Sequence, residues 1–238
     1  MGADFLKHKL EMQYCFYWNF INEGIHTIKI IFNKKLSSCY SLFSHCSNII
    51  EIDCSHFDCS NVLSCICMFN GCRSLKKINF GKLDFSLVTN FGDMFHCCEN
   101  LIDCDISNFN TKNCKSFNGI FSLCKKLKKI NLTRLDLTHC ETLSNMFSDC
   151  QSITEIDMIN ANMSNLKDIG FRMFFGCINL KKIKMRTNFS IDCLNNSKNM
   201  NIRVFYNIPE NGTFISKKGE TCDMILNQLP PGWIKYEE

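Results

Sequence analysis

The feature that most constrains this chain is a phrase that returns every 26 residues. It reads Met-Phe, two variable positions, Cys, two variable positions, and Leu or Ile. The cysteines of successive copies are 26 residues apart four times and then 27 apart, and they form the cysteine row: Cys46, Cys72, Cys98, Cys124, Cys150 and Cys177. A period in the twenties predicts a solenoid, in which each repeat is one supersecondary unit stacked on its neighbours.

Each repeat carries two local patterns. The positions Leu127, Ile130 and Leu132 end in the alternation of apolar and polar residues that is typical of a short strand. The stretch from Thr138 to Phe147 has its apolar residues three and four apart, as on a short helix. The sequence therefore predicts an α/β fold, a right-handed leucine-rich-repeat solenoid with one short parallel strand plus a short helix or turn per repeat.

The repeats also predict the division of the chain. We expect an N-terminal cap at 1–27, a solenoid at 28–185 with about six repeats plus a degenerate first one, and a C-terminal cap at 186–238. Of the 238 residues 45% are hydrophobic, and there are only 3 Pro and 11 Gly. This composition excludes collagen-like, mucin-like and broadly disordered chains.

Most of the 18 cysteines fall at positions that stay apolar from repeat to repeat. A second such position is the phenylalanine row: Phe43, Phe69, Phe95, Phe121, Phe147 and Phe174. We expect a continuous stack of these rings, with buried cysteines acting as small apolar side chains. The cysteines expected inside are the cysteine row together with Cys39, Cys54, Cys65, Cys104, Cys114 and Cys140. Those that fall outside the apolar rows are Cys15, Cys59, Cys67, Cys97, Cys193 and Cys222.

Three other roles for the thiols compete with packing. Stacked cysteines would have Cα separations near the strand spacing of about 4.8 Å, which a disulfide tolerates. A zinc site would draw on Cys65, Cys67 and Cys72 or on residues 96–98, but no second pair completes a four-ligand set. A Cys–His nucleophile pair is disfavoured because the histidines that precede cysteines are adjacent to them in the chain, and adjacent side chains usually point apart.

No phosphate-binding loop and no HExxH, GxSxG or dinucleotide-binding glycine pattern occurs in the chain. We therefore expect no catalytic residue, no metal ligand, no cofactor and no enzymatic activity. The net charge of +4 comes from scattered lysines, so it gives no case for nucleic acid as a partner. No stretch approaches the roughly 20 apolar residues of a transmembrane helix.

One outward strand position alternates in charge from repeat to repeat. This charge row is Glu51, Lys77, Asp103, Lys129, Glu155 and Lys182. Side by side in a sheet, opposite charges stabilise the register by a few tenths of a kcal/mol each. Two interpretations stay open: a self-neutralising surface, or a polar face that binds a protein partner along the strands. The six residues are the candidate partner-binding residues.

The segment Phe57-Asp58-Cys59-Ser60-Asn61-Val62 follows the phrase and completes a family pattern. The unit resembles the BspA-like leucine-rich repeat, also found in mycoplasma lipoproteins and protist surface proteins, over about residues 28–185. The tail, with Phe214 and Trp233, is similar to the segment that follows such repeats and would close the core. The resemblance implies a surface or secreted adhesion protein that binds a protein partner.

The expected function is a non-enzymatic protein–protein interaction or adhesion module that binds its partner through the strand face. The alternative is a thiol-based redox- or metal-responsive intracellular protein. Residues 1–20 lack the basic start and apolar run of a secretory signal, which favours a cytoplasmic location. The resemblance favours the cell surface or secretion, provided that further residues precede Met1.

Overall fold

The structure is a computed structural model that describes residues 24–32, 34–132, 134–167, 171–188, 204–220 and 223–238. Six short strands recur once per repeat: β1 (Glu51–Asp53), β2 (Lys77–Asn79), β3 (Asp103–Asp105), β4 (Lys129–Asn131), β5 (Glu155–Met158) and β6 (Lys182–Met185). They are followed by β7 (Gly212–Ser216), α1 (Asp223–Leu226) and β8 (Trp233–Glu237). Most of the expected N-terminal cap lies outside the described residues.

Every strand pair is parallel and joins strands that follow each other in the chain. The strands form three sheets, β1-β2, β3-β4 and β5-β6-β7-β8. The register advances by one repeat per strand, so Ile52 lies opposite Ile78 and Cys104 opposite Ile130. A second line of parallel bridges joins Ser64, Asn90, Ser116 and Thr142. These stacked, sequential strands are consistent with the predicted parallel-strand solenoid.

Of the short helix or turn expected in each repeat, the described residues show turns. Within 138–147, Thr142 forms a β-bridge, and Asn145 has a left-handed φ of 56°. The amides of Asn145 and Phe147 donate to carbonyls of the next repeat, at 2.9 Å each, instead of to residues four positions back. Left-handed residues recur twice per repeat, and an α-helix of L-residues cannot contain them.

The phenylalanine row forms the predicted stack. Successive rings lie 5.5–6.1 Å apart between centroids and are nearly parallel, with interplanar angles of 3–8°. Beyond the row, Phe205 continues the stack on Phe174 at 5.7 Å. Because neighbouring repeats are in register, the four inner rings, Phe69, Phe95, Phe121 and Phe147, stack on their equivalents on both faces.

The cysteine row does more than fill space. From Cys72 onward each thiol of the row donates a hydrogen bond to the phenylalanine carbonyl of the preceding repeat, at 3.1 Å from Cys72 to Phe43 and 3.0 Å from Cys150 to Phe121. The same bond recurs at Cys98, Cys124 and Cys177. The prediction of buried cysteines is confirmed for the described inward positions except Cys46, which is half-buried. Cys59, placed outside the apolar rows by sequence, is buried.

Two strands after residue 186 extend the same parallel sheet. Phe214 on β7 lies opposite Ile183 and is fully buried, and Trp233 on β8 lies opposite Gly212. The indole Nε1 of Trp233 donates to the carbonyl of Pro209 at 2.8 Å. The predicted boundaries of the solenoid and its caps stay predictions, but the sheet itself passes the expected limit at residue 185.

Candidate partner-binding face

The strand register places the charge row along one outward face of the sheets. Glu51 lies opposite Lys77, Asp103 opposite Lys129, and Glu155 opposite Lys182. Side chains on a strand alternate between its two faces. The residue after each member of the charge row points into the core, so the member itself points outward. All six side chains reach the surface, with Lys182 half-buried and the others exposed.

The members of the charge row are not all engaged with each other. The ammonium of Lys182 lies 2.8 Å from the Glu155 carboxylate, and this contact raises the pKa of Lys182. In the part of the chain that the structure describes, the pairs Glu51–Lys77 and Asp103–Lys129 are in register but form no ion pair. Exposed pairs of this kind stabilise little, so the row keeps charges available for a partner.

The outward side chains two residues after the charge row have a structural role. The carboxylates of Asp53 and Asp105 accept backbone N–H groups two residues ahead, from Ser55 at 2.8 Å and Ser107 at 2.9 Å. Asn79 accepts from Gly81 in the same way, at 3.0 Å. Such Asx turns end β1, β2 and β3 and redirect the chain. The hydrogen bonds hold the pKa values of Asp53 and Asp105 below the ordinary value, so these carboxylates are charged at neutral pH.

The outward face changes character at its C-terminal end. The charge row continues from Lys182 through Thr213 to Ile234, and the neighbouring row runs from Lys184 through Ile215 to Tyr236. Ile234 is 56% exposed and Tyr236 is 53% exposed. Lys184 stands between the Asp157 carboxylate at 3.8 Å and the Glu238 carboxylate at 3.3 Å. Charged strands thus lead into an exposed apolar end, which the charge pattern alone did not indicate.

A small cavity of about 150 Å³ lies beside the ends of β2 and β3, lined by apolar residues that include Phe80 and Phe109 and by the polar side chains of Asn79, Asp105 and Asn108. Small-molecule sites usually occupy roughly 300–1,000 Å³. The titratable group in it is Asp105, which is committed to its turn. The cavity therefore lacks a proton donor or acceptor free to do chemistry.

The thiols of Cys72 and Cys140 are poor nucleophiles and metal ligands as they stand. Burial raises the pKa of Cys140 to about 12 and that of Cys72 to about 12, so both are protonated at neutral pH. Cys140 also donates to the carbonyl of Thr142 at 3.3 Å. Among the described residues, no group of three or more His, Cys, Asp or Glu side chains is arranged to hold a metal ion.

The fold places the chain in a structural class, and its sequence matches a known family. A chain of stacked 26-residue repeats, with one short parallel strand in each, belongs to the class of repetitive parallel-strand proteins. Residues 35–161, just over half of the chain, match the family described as Mycoplasma protein of unknown function, DUF285. The chain belongs to this family.

No curated protein and no solved structure matches the chain. Within the residues that the structure describes, no helix combines the length and the apolar character needed to cross a membrane.

Proposed function

We propose that this chain is a non-enzymatic protein-binding module, built as a right-handed leucine-rich-repeat solenoid of the BspA-like type. Its partner lies along the outward strand face, from the charge row to the exposed side chains of Ile234 and Tyr236. The observation that carries the proposal is this outward face. Opposite charges on neighbouring strands lie opposite each other along it, and it ends in the exposed side chains of Ile234 and Tyr236.

The two ends of the face suit different parts of a protein interface. Tyrosine is enriched among the residues that dominate binding energy, and charged rims control orientation and association rate. Glu51, Lys77, Asp103 and Lys129 are exposed without an ion pair to each other in the described residues, so a partner can pair with them. The fitting partner is a protein surface with alternating charges beside an apolar pocket.

The rest of the molecule supports binding over catalysis. The carboxylates next to the face are fixed in Asx turns, and the core thiols beneath it donate to backbone carbonyls. Both groups therefore maintain the backbone that displays the face. Solenoids commonly use such extended surfaces for binding.

The test uses three forms of the chain as immobilised bait in an extract of the source cells, followed by mass spectrometry of the proteins retained. One form is the wild type. The second, the charge variant, carries Lys77→Glu, Lys129→Glu and Lys182→Glu. The third, the apolar variant, carries Ile234→Ser and Tyr236→Ser. We expect one or more proteins to be retained by the wild type and lost from both variants.

A matched control carries Lys82→Glu, Lys112→Glu and Lys115→Glu. These three lysines are exposed and lie outside the charge row, and the substitutions change the net charge by the same amount. The control is expected to retain the same proteins as the wild type. Equal retention by all variants, with their thermal unfolding unchanged, would contradict binding on the strand face.

A further inference from the structure

Three buried cysteines form a compact group at the N-terminal end of the described repeats. This thiol cluster consists of Cys39, Cys59 and Cys65, which are 1%, 2% and 0% exposed. The sulfur of Cys39 is within hydrogen-bonding contact of the thiols of both Cys59 and Cys65. The group differs from the cysteine row, in which each thiol contacts a backbone carbonyl.

The backbone aligns two members of the cluster. The amide of Cys39 donates to the carbonyl of Ser64 at 2.8 Å, and the amide of Ser41 donates to Ile66 at 3.0 Å. In a parallel arrangement these bonds place Cys39 opposite Cys65. Residues opposite each other on neighbouring strands have Cα atoms about 4.8 Å apart, inside the range of about 4.4–6.8 Å that a disulfide spans.

The electrostatics of the cluster favour one reactive thiolate. The Cys59 and Cys65 thiols, which donate to the sulfur of Cys39, lower its pKa, whereas the pKa values of Cys59 and Cys65 are raised by the same contacts and by burial. The pKa of Cys98 in the cysteine row is raised by burial. Because the thiolate is the form that attacks oxidants, Cys39 is set apart from the buried thiols of the row.

The cover over the cluster is weakly held. Lys35 pairs with Asp58 at 3.1 Å and donates to Ser60 at 3.0 Å, so the segment before Cys39 crosses the chain on both sides of Cys59. The side chains of Lys35 and Asp58 are 58% and 51% exposed, and exposed ion pairs stabilise little. The rings of Phe32 and Phe57 also meet, at 5.1 Å between centroids, and nearer to Cys39 the carbonyl of Ser37 accepts from the amide of Leu63 at 2.9 Å. Local opening of such a segment costs less than global unfolding and admits small molecules.

We propose that the thiol cluster is a redox site in which a hydroperoxide converts Cys39 and Cys65 into a disulfide. The Cys39 thiolate attacks one peroxide oxygen, the O–O bond breaks, and the leaving oxygen takes a proton to become an alcohol, or water when the oxidant is hydrogen peroxide. The sulfur of Cys65 then attacks the sulfenic acid of Cys39. The S–S bond forms, water leaves with the sulfenic oxygen, and the two thiols have given up two electrons in total.

The disulfide ties the segment that carries Cys39 to the repeat that carries Cys65, replacing a weak cover with a covalent link. Cys59 remains a thiol in this reaction. In the next repeat phenylalanines occupy the positions equivalent to Cys59 and Cys65, Phe85 and Phe91, so this group of three thiols does not recur there.

The test treats the reduced, folded full chain with stoichiometric hydrogen peroxide, blocks the remaining thiols by alkylation, and maps the peptides by mass spectrometry. We expect a peptide pair linked through Cys39 and Cys65. It should appear at least about tenfold faster than the cysteine row loses its thiols, because burial keeps a row thiol such as Cys98 protonated whereas the neighbouring thiols favour the thiolate of Cys39. In Cys65→Ser, the second step is blocked and a dimedone adduct of Cys39 should accumulate. Lys35→Ala should speed the reaction, and Cys150→Ser, as control, should leave its rate unchanged.

Two results would overturn the proposal. One is oxidation of Cys39 no faster than that of Cys150 in the wild-type chain, which requires no variant to fold. The other is a linked peptide pair that joins Cys39 to Cys59, which would reject the pairing derived from the register.

Discussion

Two adjacent repeats build the same backbone around different cores. The thiol repeat places Cys54, Cys59 and Cys65 inside, and the aromatic repeat places phenylalanines 26 residues later at each of these positions. These are Phe80, Phe85 and Phe91, and all six side chains are buried. Both repeats end the same turn with an aspartate, Asp58 accepting from Ser60 and Asp84 from Ser86, at 2.9 Å each.

The difference lies in what surrounds the two sets. The rings of Phe80, Phe85 and Phe91 gather around Phe109, at centroid distances of 4.9, 4.4 and 5.5 Å. In the thiol repeat, Cys59 and Cys65 close instead on Cys39. A shared backbone register therefore decides which positions are buried, whereas the volume available at each position depends on the neighbouring repeats.

The largest expected effect comes from emptying the aromatic repeat. Phe85→Ala removes a fully buried ring that contacts Phe80, Phe91 and Phe109, and it should lower the free energy of unfolding by about 3–5 kcal/mol. The measurement is chemical denaturation under reducing conditions. Cys59→Ala, the matched change in the thiol repeat, should cost only about 1 kcal/mol. Equal losses at the two positions would mean that the repeats do not differ in packing as described.

Overfilling the thiol repeat tests the same difference in the other direction. Cys59→Phe inserts the ring of the aromatic repeat beside Cys39, at a position where the native side chain is only 2% exposed. We expect a loss of about 1–3 kcal/mol in the free energy of unfolding. Thermal unfolding followed by circular dichroism would measure it. An increase in stability would show that the thiol repeat holds unfilled space.

The thiols of the cysteine row should behave differently from those of the thiol repeat. Cys124→Ala deletes the hydrogen bond to the Phe95 carbonyl, at 3.1 Å, and should cost about 1 kcal/mol. Cys124→Ser keeps a donor at this position. If Cys124→Ser is as destabilising as Cys124→Ala in urea denaturation, the thiol acts through its volume and the hydrogen bond contributes nothing.

The smallest effect concerns the turn that the two repeats share. Hydrogen bonds from Ser60 and from Lys35 lower the pKa of Asp58 to about 2, and those from Ser86 lower the pKa of Asp84. A lowered folded pKa gives stability that is complete above the unfolded value of 3.8 and is lost as the pH falls through the folded value. Asp58→Asn with Asp84→Asn removes this contribution at every pH, so it should lower stability slightly at pH 7 and flatten the acid loss below about pH 4.

Acid titration of the ellipticity measures this loss. Asparagine already caps the equivalent turn at Asn162, which accepts from Ser164 at 3.1 Å, so the variants keep the turn. The control is Asp103→Asn, whose carboxylate lies in the charge row. If Asp103→Asn reduces the loss of stability in acid as much as the double variant does, that loss does not come from the Asx turns.

Much of the fold and of the candidate face could be predicted from the sequence, because the repeats stack in register. Periodic alignment is enough to place Phe69 on Phe95 and Glu155 beside Lys182, since residues one period apart become neighbours. The exposed end at Ile234 and Tyr236 could not be predicted in this way. β7 and β8 join the sheet outside the period, so no row of the alignment includes them.

The sequence by itself determined the period, the buried rows and the order of charges along the strands, because all three depend only on which residues are one repeat apart. The tertiary structure decided the rest. Between the expected short helix and turn it selected turns, because amides such as that of Phe147 donate to the next repeat and Asn145 adopts a left-handed conformation. It also buried Cys59 and brought its thiol to that of Cys39, a contact across unequal spacings that depends on how two segments of chain pack together.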